Sequence, residues 1–513
     1  MPRQVTTRRR LKIGGAILLS AAAVVLGISA PALANGGPTP PPSHARPPKA
    51  IPVPVPSIAG PVVTLPHLDG THGQPYTSSP VDLQSAGYTE QEYFVSGTAR
   101  SYLPDGTFTT DGNWKVTPST SAAYKTRIIV RKPIDMSKFS GNVVVEWLNA
   151  SDGRDLDVGW TFGSTALMND HDIYVGVSAQ EVVVDGATES LQAWDPARYG
   201  SLKHPGDQYS YDIFSQVAQA LRTPTKGVNP IAGGRIHSLV AYGDSQSAAR
   251  LTTYADALQN RDQVFDGIFI NSRGAVPAPL NVGLTEPAGT KIRSDITAKV
   301  FTLETESDVI NGTTGYVSAR QPDSSNFRLW EVAGSSHIDA VEEALQRVQA
   351  FREWPLTQPP LQLTTCTQPT GILRFNDVED TIFHIFPEWI ANDRYAPPTV
   401  DRLKVNAAQT GYVQDSLGLS EGGLQLPQVT VPTGSLSGLR TNTGTSSCPL
   451  SGTYTAFSSA QLKSLYPSHQ SYVAKYTSAT DRLVKQHFIQ PYDAAADIDA
   501  AQNSAIPALT YVP

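Results

Sequence analysis

Apolar positions along the chain fall into three regimes. From about residue 62 to 132 the pattern is β-like: residues 92–98 (EYFVSGT) and 125–130 (KTRIIV) read as strands, and LPDGTFTTDGNW between them is rich in turn residues. This predicts an antiparallel pair. From about residue 141 short β-branched runs recur at 142–147, 172–177, 238–242, 267–270, 300–303 and 327–332. Helical spacing appears between or after them, in Ile213, Val217 and Leu221, in Leu251, Tyr254, Ala255 and Leu258, and in Val341, Leu345 and Val348. Short apolar strands alternating with amphipathic helices predict an α/β fold. Its central sheet is mostly parallel, with helices packed on both faces through those apolar stripes. Beyond about residue 360 the rhythm dissolves into Thr, Gly, Pro and Ser, and returns late with Val473, Tyr476, Thr480 and Leu483. The expected core is residues 61–359, with 360–513 appended and packed on it.

The chain ahead of this core changes the picture of where the protein works. Arg3, Arg8, Arg9, Arg10 and Lys12 precede an apolar run from Ile13 to about Ile28, and Ala32-Leu33-Ala34 follows. A basic head, an apolar middle and a small-x-small site are the three parts of an export signal, expected over residues 1–34. Thr7-Arg8-Arg9-Arg10-Leu11-Lys12 resembles a twin-arginine signal, and an ordinary secretory signal with a basic head fits the same residues. No later run is long and apolar enough to cross a bilayer, so no stable membrane span is expected after cleavage. Residues 35–60 are Pro-rich and read as a linker. The expected location is secreted or at the cell envelope of a bacterium. There the two cysteines, Cys366 and Cys448, would meet an oxidising compartment. A disulfide between them and two unlinked thiols are the alternatives, and export favours the disulfide. The formal net charge of -7 argues against nucleic acid as a partner, since phosphate binding needs a basic surface.

The candidate chemistry sits in Gly243-Asp244-Ser245-Gln246-Ser247, between an apolar strand and an amphipathic helix. A sharp strand-to-helix turn lifts a serine hydroxyl clear of the sheet and aims a helix N-terminus at it. The residues two before and two after the serine must be small, and Gly243 and Ser247 are. A serine needs a base, and His337 lies in the small-residue loop Ala333-Gly334-Ser335-Ser336-His337 after the last strand of the set. The histidine needs an acid. Asp308 ends Leu303-Glu304-Thr305-Glu306-Ser307-Asp308; Glu306 and Glu304 are rivals on that loop, and strand-to-loop register favours Asp308, then Glu306. The oxyanion donors expected are the Gln246 N–H and a backbone N–H of Asn149 or Ala150. Trp160, Trp194, Tyr209 and Tyr211 are candidates to line a pocket or simply to pack, and residues 148–160, 181–210 and the appended region are expected to build its walls. No metal-ligand spacing, phosphate loop or dinucleotide motif is present, so no metal and no cofactor are expected.

Four segments together, EYFVSGTA at 92–99, VVVEWLN at 143–149, YGDSQSA at 242–248 and LYPSHQSYVAKY at 465–476, resemble the alpha/beta hydrolase domain family of large bacterial proteins. The resemblance spans nearly all of the chain after the Pro-rich linker. It implies an α/β-hydrolase fold and a serine hydrolase site at Ser245, His337 and an acid near Asp308, with no substrate attached. The expected function is hydrolysis of a carboxylic ester, carried by a small molecule or a polymer. A non-catalytic exported binding protein on the same scaffold is the alternative.

Overall fold

The computed structural model describes residues 49–63, 72–224, 228–231, 233–353, 366–445 and 447–507. The expected export signal lies outside them.

Among the described residues nine strands form one sheet: β1 (Ser57–Ala59), β2 (Tyr88–Pro104), β3 (Val116–Pro133), β4 (Asn142–Trp147), β5 (Ile173–Val177), β6 (Ser238–Asp244), β7 (Gly267–Asn271), β8 (Lys299–Thr305) and β9 (Phe327–Val332). Their spatial order is β1-β2-β3-β5-β4-β6-β7-β8-β9. β4 to β9 run parallel, and β1, β2 and β3 pair antiparallel at one side. The short Val/Ile-rich runs are therefore central strands. β5, β6, β7 and β9 are buried at every position, which is why they read as continuous rather than alternating.

The helices that matter for the site are α1 (Val158–Asn169), α2 (Ser210–Arg222), α3 (Gln246–Tyr254), α4 (Ala340–Glu353) and α5 (Asn376–Ala391). α1 and α5 pack together over β6, β7 and β8. The close approach rests on glycines in α1: a Cβ on Gly159 would lie 2.6 Å from the Tyr242 ring, and one on Gly163 would lie 2.2 Å from Phe383. Phe383 in turn packs edge-on to Phe269, within a run of aromatic contacts that includes Tyr242, Phe301 and Phe386.

Three expectations need correcting. The folded body includes residues ahead of 61, because the Ile51 N–H donates to Arg261 O at 2.8 Å and Ser57–Ala59 pairs with β2. α5, within the appended region, belongs to the helix layer on the sheet. The helix α4 lies the other way round. Val348 and Phe351 are 51% and 53% exposed, while Glu342, Gln346, Gln349 and Glu353 face inward. The surface beneath α4 is polar, with the Gln349 amide donating to Asp157 Oδ1 at 2.9 Å, so the polar stripe is the one that finds partners.

Both borders of the sheet are covered over part of their length. β1 lies along β2, where the Val62 N–H also donates to Glu92 O at 2.7 Å. Along β9 the Leu424 N–H donates to Glu331 O at 2.7 Å, Leu424 O accepts from the Ala333 N–H, and Arg402 Nη1 donates to Leu329 O at 2.6 Å.

Cys366 and Cys448 form a disulfide across 82 residues of chain. No helix among the described residues is long and apolar enough to cross a membrane. A cross-link closing a loop this long stabilises chiefly by restricting the unfolded chain. Replacing both cysteines by alanine is expected to lower unfolding free energy by about 2–5 kcal/mol, measured by urea denaturation of the oxidised protein.

Candidate active site

Ser245 stands between the last residue of β6 and the first of α3, with φ 53° and ψ -112°. The turn is closed from both sides. The Ser245 N–H donates to Asn271 O at 3.0 Å, and Ser247 Oγ accepts from the Asp244 N–H at 3.0 Å while donating to Asp244 O at 2.9 Å. The serine at position 247 therefore ties the elbow together where glycine is more usual. Gly243 is required by space: a Cβ there would lie 2.8 Å from Ser247 O.

The parallel strands deliver the partners to the same end of the sheet. Asp308 follows β8 and His337 follows β9. His337 Nε2 lies 2.8 Å from Ser245 Oγ, and its Nδ1 lies 2.8 Å from Asp308 Oδ1. Asp308 Oδ2 accepts from Thr305 Oγ1, and Arg440 Nη2 donates to Oδ1 at 3.1 Å. The histidine loop is held as firmly. Ser307 Oγ accepts from the His337 N–H at 3.1 Å and donates to Gly438 O at 2.6 Å.

Asp308, not Glu306, meets the imidazole. Glu306 accepts instead from the Gly334 and Gly438 N–H groups, at 2.6 and 2.9 Å, and so binds the histidine loop to the region past residue 430. Glu304 is fully buried in β8 and makes no contact with His337 among the hydrogen bonds of the site.

The electrostatics are coupled. Burial works to raise Asp308, but the charge and hydrogen bond of His337, with Arg440 behind them, hold its carboxyl below the usual range. For His337 burial works downward, and the Asp308 charge and hydrogen bond outweigh it, so the imidazole lies above its ordinary value. Asp244 is raised by burial, against the opposing pull of His337. Such a chain lets a hydroxyl shed its proton as it attacks an electrophile.

The expected oxyanion donors divide. Gln246 is the first residue of α3, where backbone N–H groups have no partner within the helix. Asn149 is a correction: its N–H donates to Leu156 O at 3.0 Å, and its side chain donates to Asp244 O at 3.0 Å. The neighbouring Ala150 N–H makes only a long bond, 3.3 Å, to Gln246 Oε1.

A cavity of about 210 Å³ opens beside Ser245 and His337. The loop after β4 supplies Asn149, Ser151 and Leu156, the start of α1 supplies Val158, and Ser447 and Leu450 come from beside the disulfide. Residues 181–210 are not among its walls, and Trp160, Trp194, Tyr209 and Tyr211 are buried in packing elsewhere. The sequence reading missed Arg440 and Glu342. Arg440 lies in a stretch with no periodicity, and Glu342 looks like an ordinary solvated helix position.

A strained strand–elbow–helix serine, hydrogen-bonded to a histidine and an aspartate at the C-terminal ends of a sheet in this order, defines the α/β-hydrolase class. The chain belongs to the family described as Alpha/beta hydrolase domain, whose profile matches residues 58–499. No curated protein matches it. Solved structures that resemble it include an α/β serine hydrolase without lid from Xanthomonas campestris, 12% identical, covering 51% of this chain and 97% of that one with a TM-score of 0.26. An alpha-beta serine hydrolase homologue from Coxiella burnetii is 12% identical over 45% of this chain and 89% of its own, with a TM-score of 0.27. Acetyl xylan esterase 1 from a Thermoanaerobacterium species is 9% identical over 46% and 79%, with a TM-score of 0.24.

His337 can accept a proton only when neutral, so the rate of Ser245 modification should fall as pH drops through the raised His337 pKa. Arg440 is a cation that holds His337 down. Arg440→Leu is therefore expected to move the acid limb to higher pH, measured as the pH profile of fluorophosphonate labelling; an unmoved or lowered limb would contradict this.

Proposed function

We propose that this protein is an exported serine hydrolase that cleaves a carboxylic ester through an acyl-enzyme. The observation that carries this reading is the unbroken hydrogen-bonded chain Ser245–His337–Asp308 at the mouth of the cavity. Ser245 Oγ attacks the ester carbonyl while His337 Nε2 takes its proton, and Asp308 stabilises the imidazolium through Nδ1. The oxyanion that forms rests on the Gln246 N–H and the Ala150 N–H, the latter exchanging its long bond to Gln246 Oε1 for the substrate oxygen. His337 then returns the proton to the departing alkoxide, leaving Ser245 acylated. Water, deprotonated by His337, attacks the acyl carbon, and the acid leaves as Ser245 recovers its proton.

Esters are favoured over amides because an alkoxide leaves with less help from the acid than an amine needs. Export is supported by the basic-apolar-small order of residues 1–34 and by the disulfide, which an oxidising compartment preserves.

The test is labelling by a fluorophosphonate and hydrolysis of p-nitrophenyl acetate. Ser245→Ala and His337→Ala should each abolish labelling and lower kcat/KM by about 10⁴-fold or more. Asp308→Asn should cost about 10⁴-fold, because it presents the wrong tautomer of the histidine, whereas Glu306→Gln should keep the same acid limb in its pH profile. A folded wild type that neither labels nor turns over would overturn the reading in favour of a binding protein on this scaffold.

A further inference from the structure

The side chains lining the cavity include three carboxyls and no lysine or arginine: Asp244 and Glu342 within, and Asp152 at the rim, where it pairs with Arg154 at 3.2 Å. Glu342 projects from the inward face of α4 and is 5% exposed. Its Oε1 accepts from Gln346 Nε2 at 2.7 Å, while its Oε2 is buried without a hydrogen-bond partner. Asp244, equally buried, spends Oδ1 on the Asn271 amide at 3.0 Å. A buried polar oxygen left unmatched is costly, so on a residue that lines a cavity it is a place for an incoming group to bond.

The chemistry of that match can be narrowed. Burial raises the Glu342 carboxyl well above the usual range, and the nearby Asp244 charge adds to it. The neutral form that burial favours is a donor and an acceptor at once. Apart from Ser245 and His337, the rest of the polar lining is uncharged, in Asn149, Ser151, Gln346 and Ser447. A carboxylate in the substrate would find no lysine or arginine on the lining and would meet the carboxyls of Asp244 and Glu342. An ammonium would require Glu342 to ionise away from water. An alkyl group would leave Oε2 unmatched. A hydroxyl donates one hydrogen bond and accepts others, and so can match the unpartnered Oε2 of Glu342 whether that carboxyl is protonated or ionised.

We propose that this cavity selects esters carrying free hydroxyls close to the reacting carbonyl, as in a partly acylated polyol or sugar, with Glu342 as the specificity-determining residue. The proposal rests on the acyl-transfer reading above and names its substrate class.

The test compares kcat/KM for glycerol monoacetate and butyl acetate, esters of similar size, in the full chain as wild type, Glu342→Gln and Glu342→Leu. Wild type should favour the glycerol ester by about tenfold or more. Glu342→Gln keeps a donor and an acceptor and should hold that ratio within about threefold, whereas Glu342→Leu should bring it near one. Because each ratio is taken within one protein, partial unfolding lowers both rates together and leaves it unchanged. A wild-type ratio near one, or a leucine variant that keeps the wild-type ratio, overturns the proposal. So does a preference for acetylcholine over both esters that is lost in Glu342→Gln, which would mark a cation site. Should Glu342→Leu fail to fold, the wild-type and glutamine ratios decide. Fluorophosphonate labelling without turnover of the glycerol ester overturns the hydroxyl selectivity alone; absence of both labelling and turnover overturns the acyl-transfer reading beneath it.

Discussion

A residue other than glycine held at positive φ costs on the order of 1–3 kcal/mol, and Ser245 is held there by its surroundings. The Asn271 carbonyl fixes its N–H, the Ser247 hydroxyl fixes the residue before it, and Gly243 gives way to the returning chain. Relax that turn and the hydroxyl falls back toward the sheet edge, out of reach of His337. The neighbouring strands serve this one conformation. β7 supplies the Asn271 carbonyl, β8 ends in the loop of Asp308, and β9 ends in the loop of His337. Parallel strands bring all three to one edge, so a short stretch of local strain is matched by a long-range arrangement that tolerates little movement.

The loop facing the serine is positioned by charge. Arg127 and Arg131 of β3 are fully buried. They reach Asp155 and Asp157 at 3.2 and 2.6 Å, and Glu92 and Glu90 of β2 at 3.3 and 2.8 Å. Removing one partner would strand a charge in the interior, so each pair is obliged to stay together. The antiparallel hairpin, remote from the triad in sequence, is thereby tied to the loop between β4 and α1 that forms one wall of the cavity. Arg440 does a similar service at the other wall, joining the region past residue 430 to Asp308. The edge that carries Ser245, Asp308 and His337 is thus gripped on both sides by segments whose sequences carry no such pattern.

That division explains what could be read from the chain beforehand. The parallel strands were legible because burial on both faces leaves uninterrupted Val and Ile runs. Ser245, His337 and Asp308 were legible because a small-residue turn and two post-strand loops have a fixed order in such a sheet. α5 was not, since residues from Asn376 to Trp389 are buried on nearly every side and include Asn376, Asp377, Glu379, Asp380 and Thr381, which blur any apolar stripe. α4 misled for the opposite reason: its clear apolar stripe is the outward one, because what it covers is a layer of carboxyls and amides. Asn149 misled because a backbone N–H has no signature in the sequence, and only the bridge to Leu156 shows it to be engaged. Polar burial and main-chain pairing are relations between distant residues, and neither leaves a periodic trace.

The covering of the sheet's two borders bears on the order in which the chain can be safely assembled. β1 comes first among the described strands and lies along part of its border as soon as β2 is present. The opposite border, β9, is closed by Arg402 and Leu424, some seventy to ninety residues further along. A growing or truncated chain that ends soon after β9 would carry Ser245, Asp308 and His337 and yet expose a raw strand edge, able to recruit a second copy. The appended region thus covers the β9 edge through Arg402 and Leu424 as well as walling the cavity through Ser447 and Leu450.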